Sequence, residues 1–419
     1  MESTEAPSGG SARTDEIRRA ASALFLAKGY AATTMSDIAQ AVGILPGSLY
    51  HHFDAKESIA VELAQAFNDE LAALAVRMRA PDRAGLPPEE RVRDLIAAVA
   101  EAGRRHAAAV QLRVYDAPTV ASDRLRTAMN HHPAALHRVW RSAVNGLAGL
   151  PVNPGFDPGM LTWAFEALSV NTSTGEPSDL EAAHLAELAC DTLLHGVVVD
   201  CPDDATLDAS VPLAAAKAEI ANWTPGVDGT DTRSQIVAAA RREFARRGYD
   251  ATTIRDIAAA SGVRMGTLYR RIDSKESIFT EIVESYAGQL DAALRAALTS
   301  PAGSEAETID AVAYVTAHAN RRFHDEFRMM AVTWKRHQEN HLPTQKYLSQ
   351  TADRLAVLAA VLERGQRTGG VRQICPPKDL AGLLRVIVWV PYQAHQRASL
   401  RRVHSFLREH VLRGALTPP

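Results

Sequence analysis

The sequence predicts an all-α protein of two tandem units, and three observations carry that prediction. Apolar residues recur at helical spacing along most of the chain, while strict alternation never persists beyond a few residues. The stretch TTMSDIAQAVGILPGSLYHHFDAKES, Thr33 to Ser58, returns without a gap as TTIRDIAAASGVRMGTLYRRIDSKES, Thr252 to Ser277, with roughly half the positions identical. At 419 residues the chain is also too long for one ordinary core.

Each element of the repeat has marked ends. From Arg13 to Lys28 the residues Ile17, Ala20, Ala21, Leu24 and Phe25 form one helical stripe. Its match upstream of the second copy is Ile236, Ala239, Ala240 and Phe244, followed by Gly248 and Tyr249 where the first copy has Gly29 and Tyr30. Thr34 with Asp37 reads as a capping pair that opens a second helix, and Gly43 stops it. A short helix from Pro46 to His52 follows, with proline suited to a first turn. Asp54 with Glu57 reads as the cap of the next helix. Helix, glycine turn, short helix is the plan of a helix-turn-helix, whose second helix enters the DNA major groove.

Beyond the repeat, helices are expected over Arg91–Ala109, His132–Gly149, Met160–Val170 and Asp179–Val199. From Cys201 to Gly229 periodicity fades and Pro, Asp and Gly collect, which reads as a linker holding one short helix near Leu213–Ile220. The second copy predicts Thr232–Arg247, Ile254–Ala260, Met265–Arg271 and Ser274–Leu298, then Thr308–Arg321, Phe323–His337, Thr344–Gln366, Pro377–Gln396 and Ser399–Leu412.

Composition narrows the function. A formal net charge of −3 supplies no global field toward nucleic acid or membrane, so any DNA affinity must be local. Cys190, Cys201 and Cys375 form neither a disulfide framework nor a paired metal spacing. The polar N-terminus lacks the apolar core of a signal peptide, and no apolar run reaches the ~18–20 residues of a membrane span. A cytoplasmic protein without membrane contact is the expectation. The histidine pairs His51-His52, His131-His132 and His337 with His341 lack a third ligand at fixed spacing, and no nucleophile or phosphate-loop motif is present. Neither metal, cofactor nor enzymatic activity is therefore expected.

The motif Gly47-Ser48-Leu49-Tyr50 with Asp54-Ala55-Lys56-Glu57, and its repeat Gly266-Thr267-Leu268-Tyr269 with Asp273-Ser274-Lys275-Glu276, resembles the DNA-binding segment of TetR-family transcriptional regulators. The resemblance implies, in each unit, a three-helix DNA-binding headpiece followed by a larger helical effector domain. The implied division is a flexible tail over 1–12, headpiece one over 13–60, effector domain one over 61–200, a linker over 201–230, headpiece two over 231–279 and effector domain two over 280–417. It implies a bacterial, ligand-responsive repressor on double-stranded DNA. Two headpieces on one polypeptide further imply an internal pseudo-dimer, with a further homodimer left open. The alternative is a ligand-binding interaction protein in which one or both headpieces do not bind DNA.

The resemblance places the Tyr50 and Tyr269 hydroxyls on phosphate. Lys56 and Lys275, in the first turn of the following helix, suit the same role. Thr34 and Thr253 are caps by pattern and further phosphate contacts. Groove-facing positions in copy one are Ser36, Leu45, Pro46, Gly47, Ser48, His51 and His52. In copy two they are Arg255, Arg264, Met265, Gly266, Thr267, Arg270 and Arg271, and arginine is the commonest reader of guanine. Leu49 and Leu268 are assigned to the core. Basic residues outnumber acids around copy two, Arg241, Arg242, Arg246 and Arg247 among them, so that headpiece is expected to dock first. An effector pocket for a small apolar or amphipathic ligand would draw on Tyr115, Trp140 and Trp163 in the first unit, and on Tyr314, Phe327, Met330, Trp334 and His337 in the second. The plain alternative for these aromatic stripes is core.

Overall fold

Short-range bonds fix the start of the chain. A computed structural model describes residues 9–114, 122–171, 181–224, 231–249, 251–334, 342–394 and 398–416. Helix α1 (Gly9–Lys28) begins inside the expected tail, and α2 (Met35–Val42) and α3 (Pro46–Tyr50) complete the headpiece. Ile17, Ala21 and Phe25 of α1 bury against Ile38, Ala39 and Leu49. Helix α4 (Lys56–Arg77) starts after Ala55 without a side-chain cap. The expected Asp54–Glu57 cap is not formed: Asp54 instead accepts a hydrogen bond from the Ser58 hydroxyl.

Helix α4 spans two cores. Ile59, Ala60 and Ala64 belong to the headpiece, while Phe67, Leu71 and Leu74 belong to the large central core. One unbroken helix thus joins headpiece to effector domain. The short α5 (Pro81–Ala84) precedes α6 (Pro88–Arg105) and α7 (Ala107–Val114), where one helix was expected. The break falls at His106, whose ring meets the Glu70 carboxylate at 2.7 Å. Helix α8 (Asp123–Asn130), capped by Ser122, was not anticipated, and α9 (Ala134–Gly146), α10 (Pro158–Asn171) and α11 (Ala182–His195) close the unit.

The expected linker is largely helical and docked. It forms α12 (Asp204–Asp208) and α13 (Val211–Ala221), capped by Asp203 and Ser210. Leu213 and Ala216 bury in the core of the second unit, and the Trp223 indole donates to the Gln289 carbonyl at 3.1 Å. The second unit repeats the first: α14 (Thr232–Arg247), α15 (Ile254–Ser261), α16 (Met265–Tyr269), α17 (Lys275–Leu298), α18 (Glu305–Arg322) and α19 (His324–Trp334). Then come α20 (Leu342–Thr368), α21 (Pro377–Ala394) and α22 (Leu400–Leu407), which continues into a π-helical turn over Arg408–Leu412.

The two units share one core through equivalent elements. Helix α10 packs on α21, its counterpart, and Leu188 and Leu193 of α11 lie in one cluster with Leu383, Ile387, Phe406 and Leu412. Each such side chain contributes about 1.5–3 kcal/mol when buried. Among the described residues extended pairing is confined to two isolated antiparallel bridges, Val152 with Leu416 and Val198 with Val371. Aligning Pro158 with Pro377 and Gly196 with Gly414 makes Val152 equivalent to Val371, and Val198 to Leu416. The bridges therefore exchange partners as a two-fold interface would. No helix among the described residues is long and apolar enough to cross a membrane.

Candidate nucleic-acid interface

The recognition elements are held by local bonds that leave one face open. In copy one the Thr34 hydroxyl accepts from the Asp37 amide (3.1 Å) while the Asp37 carboxylate accepts from the Thr34 amide (2.9 Å). Thr253 and Asp256 repeat the arrangement at 3.2 and 2.8 Å. These bonds hold both aspartates below the usual carboxylate range. Gly43 and Gly262 take φ of 71°, the left-handed turn that separates the two helices of each motif. Leu49 and Leu268 are fully buried and pin α3 and α16 from beneath.

Above those anchors the outer face is exposed. Ser36, Pro46, Gly47, Ser48 and His51 are open to solvent, with Leu45 76% and Tyr50 55% exposed. In copy two Arg255, Arg264, Gly266 and Arg270 are open and Tyr269 is 61% exposed, whereas Met265 and Thr267 are half-buried. A Cβ added at Gly47 or Gly266 would meet nothing within 4 Å. Nothing inside the protein demands glycine there.

The lysine side chains are engaged within the headpieces. Lys56 donates to the carbonyls of Tyr30 (2.5 Å) and Thr33 (2.6 Å) and stands 4.3 Å above the Tyr30 ring. Lys275 donates to the carbonyls of Tyr249 (2.9 Å) and Thr252 (3.0 Å), 4.2 Å above the Tyr249 ring. Their ammonium groups close the loop between the first two headpiece helices. The contacting carbonyls come from a loop 23–26 residues away in sequence, a proximity that helix-cap patterns do not encode.

Charge is less lopsided than a residue count suggests, yet it remains unequal. Arg246 pairs with Glu243 at 2.5 Å, Arg247 with Glu243 and Asp256 at 3.0 and 3.1 Å, and Arg241 with the buried Glu326 at 3.4 Å. Arg255, Arg264 and Arg271 have no acidic partner among the described residues. Arg270 folds over its own helix, donating to the Gly266 carbonyl and the Thr267 hydroxyl. In copy one Arg18 pairs with Glu62 and Asp15, Arg13 with Glu16 and Lys28 with Asp37. Its outer face carries the neutral Leu45, Pro46 and Ser48, with His52 beside Thr14 at 3.3 Å.

The expected pocket residues scatter. Trp140 is core, with its indole nitrogen buried and unpartnered. Trp163 lies 5.0 Å from the His137 ring, and Tyr314 sits between His318 and His404. Phe327 and Met330 join Tyr286, Phe323 and Tyr347 in the second core. Trp334 ends α19, and Tyr115 and His337 lie outside the described residues. Sequence reasoning passed over Arg113, Asn68 and Glu326, because a polar residue inside an apolar helical stripe gives no sign of its partners.

The profile of the family described as bacterial regulatory proteins, tetR family, matches residues 17–63 and 236–282. The chain is 53% identical over 64 residues to the HTH-type transcriptional repressor KstR2 of Rhodococcus jostii, covering 15% of this chain and 31% of that one. It is 35% identical over 133 residues to KstR2 of Mycobacterium tuberculosis, covering 32% and 65%. The chain thus spans less than two thirds of the length of these relatives. A solved structure of the Mycobacterium tuberculosis protein aligns at 20% identity and a TM-score of 0.39, over 44% of this chain and 94% of that one.

Proposed function

We propose that the chain, which carries twice the segment matched by the model of bacterial regulatory proteins, tetR family, is a ligand-responsive transcriptional repressor acting as a single-chain pseudo-dimer on an asymmetric operator. The observation that carries this reading is the pair of exposed recognition faces of unlike chemistry on two units with exchanged bridges. A symmetric dimer reads a palindrome because its two recognition helices are identical. Here Leu45-Pro46-Gly47-Ser48 stands where the other unit has Arg264-Met265-Gly266-Thr267. The two half-sites would differ and lie roughly 34–36 Å apart, one helical turn.

Helices α4 and α17 each run from headpiece into effector core, so a shift in either core moves a headpiece. A small apolar or amphipathic ligand would act by preferring one separation of the headpieces over the other, since only differential affinity moves such an equilibrium. A gel shift against DNA upstream of the protein's own gene tests the reading. One retarded species that Arg264→Ala weakens supports it, and no retardation contradicts it. A second reading, in which headpiece one contributes no DNA contact, is favoured by the pairing of Arg13, Arg18 and Lys28 with acids. Under that reading Ser48→Ala and Leu45→Ala leave the shift unchanged.

A further inference from the structure

Arg113, near the end of α7, is a half-buried cation served by neutral oxygens. Its Nε donates to the Met129 carbonyl (2.8 Å), and Nη2 donates to Asn68 Oδ1 (2.6 Å) and the His131 carbonyl (3.0 Å). The guanidinium stands 5.0 Å over the Phe67 ring. Its Nη1 forms no hydrogen bond, and no carboxylate comes within ion-pair distance of it among the described residues. Burial pushes the guanidinium down to about 10, with no acid opposing the shift. Among the described residues the more deeply buried Arg354 and Arg408 meet acids, Asp291 at 3.0 Å and Asp310 at 2.8 Å, whereas the half-buried Arg372, like Arg113, donates to main-chain carbonyls.

The second unit shows that the fold does not need a cation at this place. Aligning Arg104-Arg105 with Arg321-Arg322 puts Met330 opposite Arg113, and aligning Lys56 with Lys275 puts Ala287 opposite Asn68. Both replacements are buried apolar residues of the second core. A desolvated charge costs free energy unless paired, and here an apolar side chain fills the equivalent position. The retained cation, with one amino group unengaged, suits an oxyanion, which guanidinium binds in a planar fork.

We propose that effector domain one binds an organic oxyanion, a carboxylate or phosphate monoester on an apolar body, through the guanidinium of Arg113. The site is wired to headpiece one. Two residues before Arg113, the buried Gln111 amide donates to the Phe25 carbonyl of α1 at 2.9 Å, and Asn68 sits on α4. Binding in this domain thus touches both helices that hold the first headpiece. This deepens the regulatory reading, and it names the unit that senses.

The test uses the full-length chain with three probes of equal tail: decanoate, decyl phosphate and decanol. Calorimetric titration should show binding of at least one anion, with decanol binding far more weakly; which anion is tighter separates a carboxylate from a phosphate ligand. Arg113→Met, the residue found in the other unit, should weaken that binding about ten- to hundredfold. Arg113→Lys keeps the charge, preserves the fold if Met does not, and should also weaken it by losing the fork. Decanol binding as well as the anions, no anion binding, or a folded variant of unchanged anion affinity overturns the proposal. A gel shift on ligand-free protein is read separately. Anion binding without any DNA shift keeps the site and sinks the regulator, whereas a shift without anion binding does the reverse.

Discussion

Gly196 and Gly414 cross backbone against backbone. A Cβ on Gly196 would lie 2.5 Å from the Arg413 carbonyl carbon, and one on Gly414 would lie 2.5 Å from the Gly196 amide nitrogen. Both take positive φ, 70° and 88°, and they occupy equivalent places in the two units. Around them Val197 donates to the Val411 carbonyl (2.8 Å) and Leu416 to the Leu194 carbonyl (2.8 Å). The contact of one unit on the other is therefore sealed by main chain as well as by apolar side chains.

Gly196→Ala and Gly414→Ala should each destabilise the whole chain. Each adds a left-handed alanine to a backbone clash, together about 3 kcal/mol or more. Thermal unfolding should show a lower single transition. An unchanged transition, or two units melting independently, would show that the crossing does not hold the halves together.

Lys56→Met and Lys275→Met should loosen the headpieces directly. Each removes a charged donor from two loop carbonyls, a loss of about 1.5–3 kcal/mol. Faster amide exchange across residues 30–34 and 249–253 is the expected sign. Normal exchange with a reduced salt slope of DNA binding would return these lysines to the phosphate role.

Gly47→Ala and Gly266→Ala should separate stability from binding. Alanine improves a short helix by up to about 1 kcal/mol, and its Cβ meets no protein atom. Melting temperature should hold or rise while DNA affinity falls. Unaltered affinity would mean that no external surface approaches these glycines.

The Asp310 carboxylate ties the C-terminal turn to α18. Burial alone would raise it, but Arg408 at 2.8 Å and His404 at 2.8 Å hold it below the usual carboxylate range. A carboxyl lowered in the folded state stabilises above its unfolded pKa, and that contribution is lost as pH falls through the folded value. Asp310→Asn should therefore cost about 1.5–3 kcal/mol at neutral pH, the loss of a charge-assisted pair, because Arg408 keeps Asp208 at 2.8 Å. The gap from wild type should shrink only below about pH 4. A gap independent of pH would place the loss in packing instead of charge.

Legibility followed range. Thr34 with Asp37, Gly43, Pro46 and their counterparts are local signals, and the helices they bound formed as read. The break at His106 is poorly announced, since the nearby Gly103 lies inside α6 and not at its end. The short helix expected near Leu213–Ile220 formed as α13, whereas α12 went unread because its aspartate is a cap: Asp203, like Ser210, accepts from an amide three residues on. Arg113 and the loop contacts of Lys56 were missed because their partners lie 16–45 and 23–26 residues away.

Two unlike headpieces on one chain should read an unlike pair of half-sites, with copy two carrying most of the phosphate and guanine contact. Hydroxyl-radical footprinting of the upstream DNA, with wild type beside Arg264→Ala and Ser48→Ala, tests it most directly. Two protected half-sites of different sequence, about one helical turn apart, are the expected result. The guanine-richer arm should be lost first in Arg264→Ala, at a loss of about 1–3 kcal/mol. A perfect palindrome with equal protection of both arms, weakened equally by the two substitutions, would contradict it.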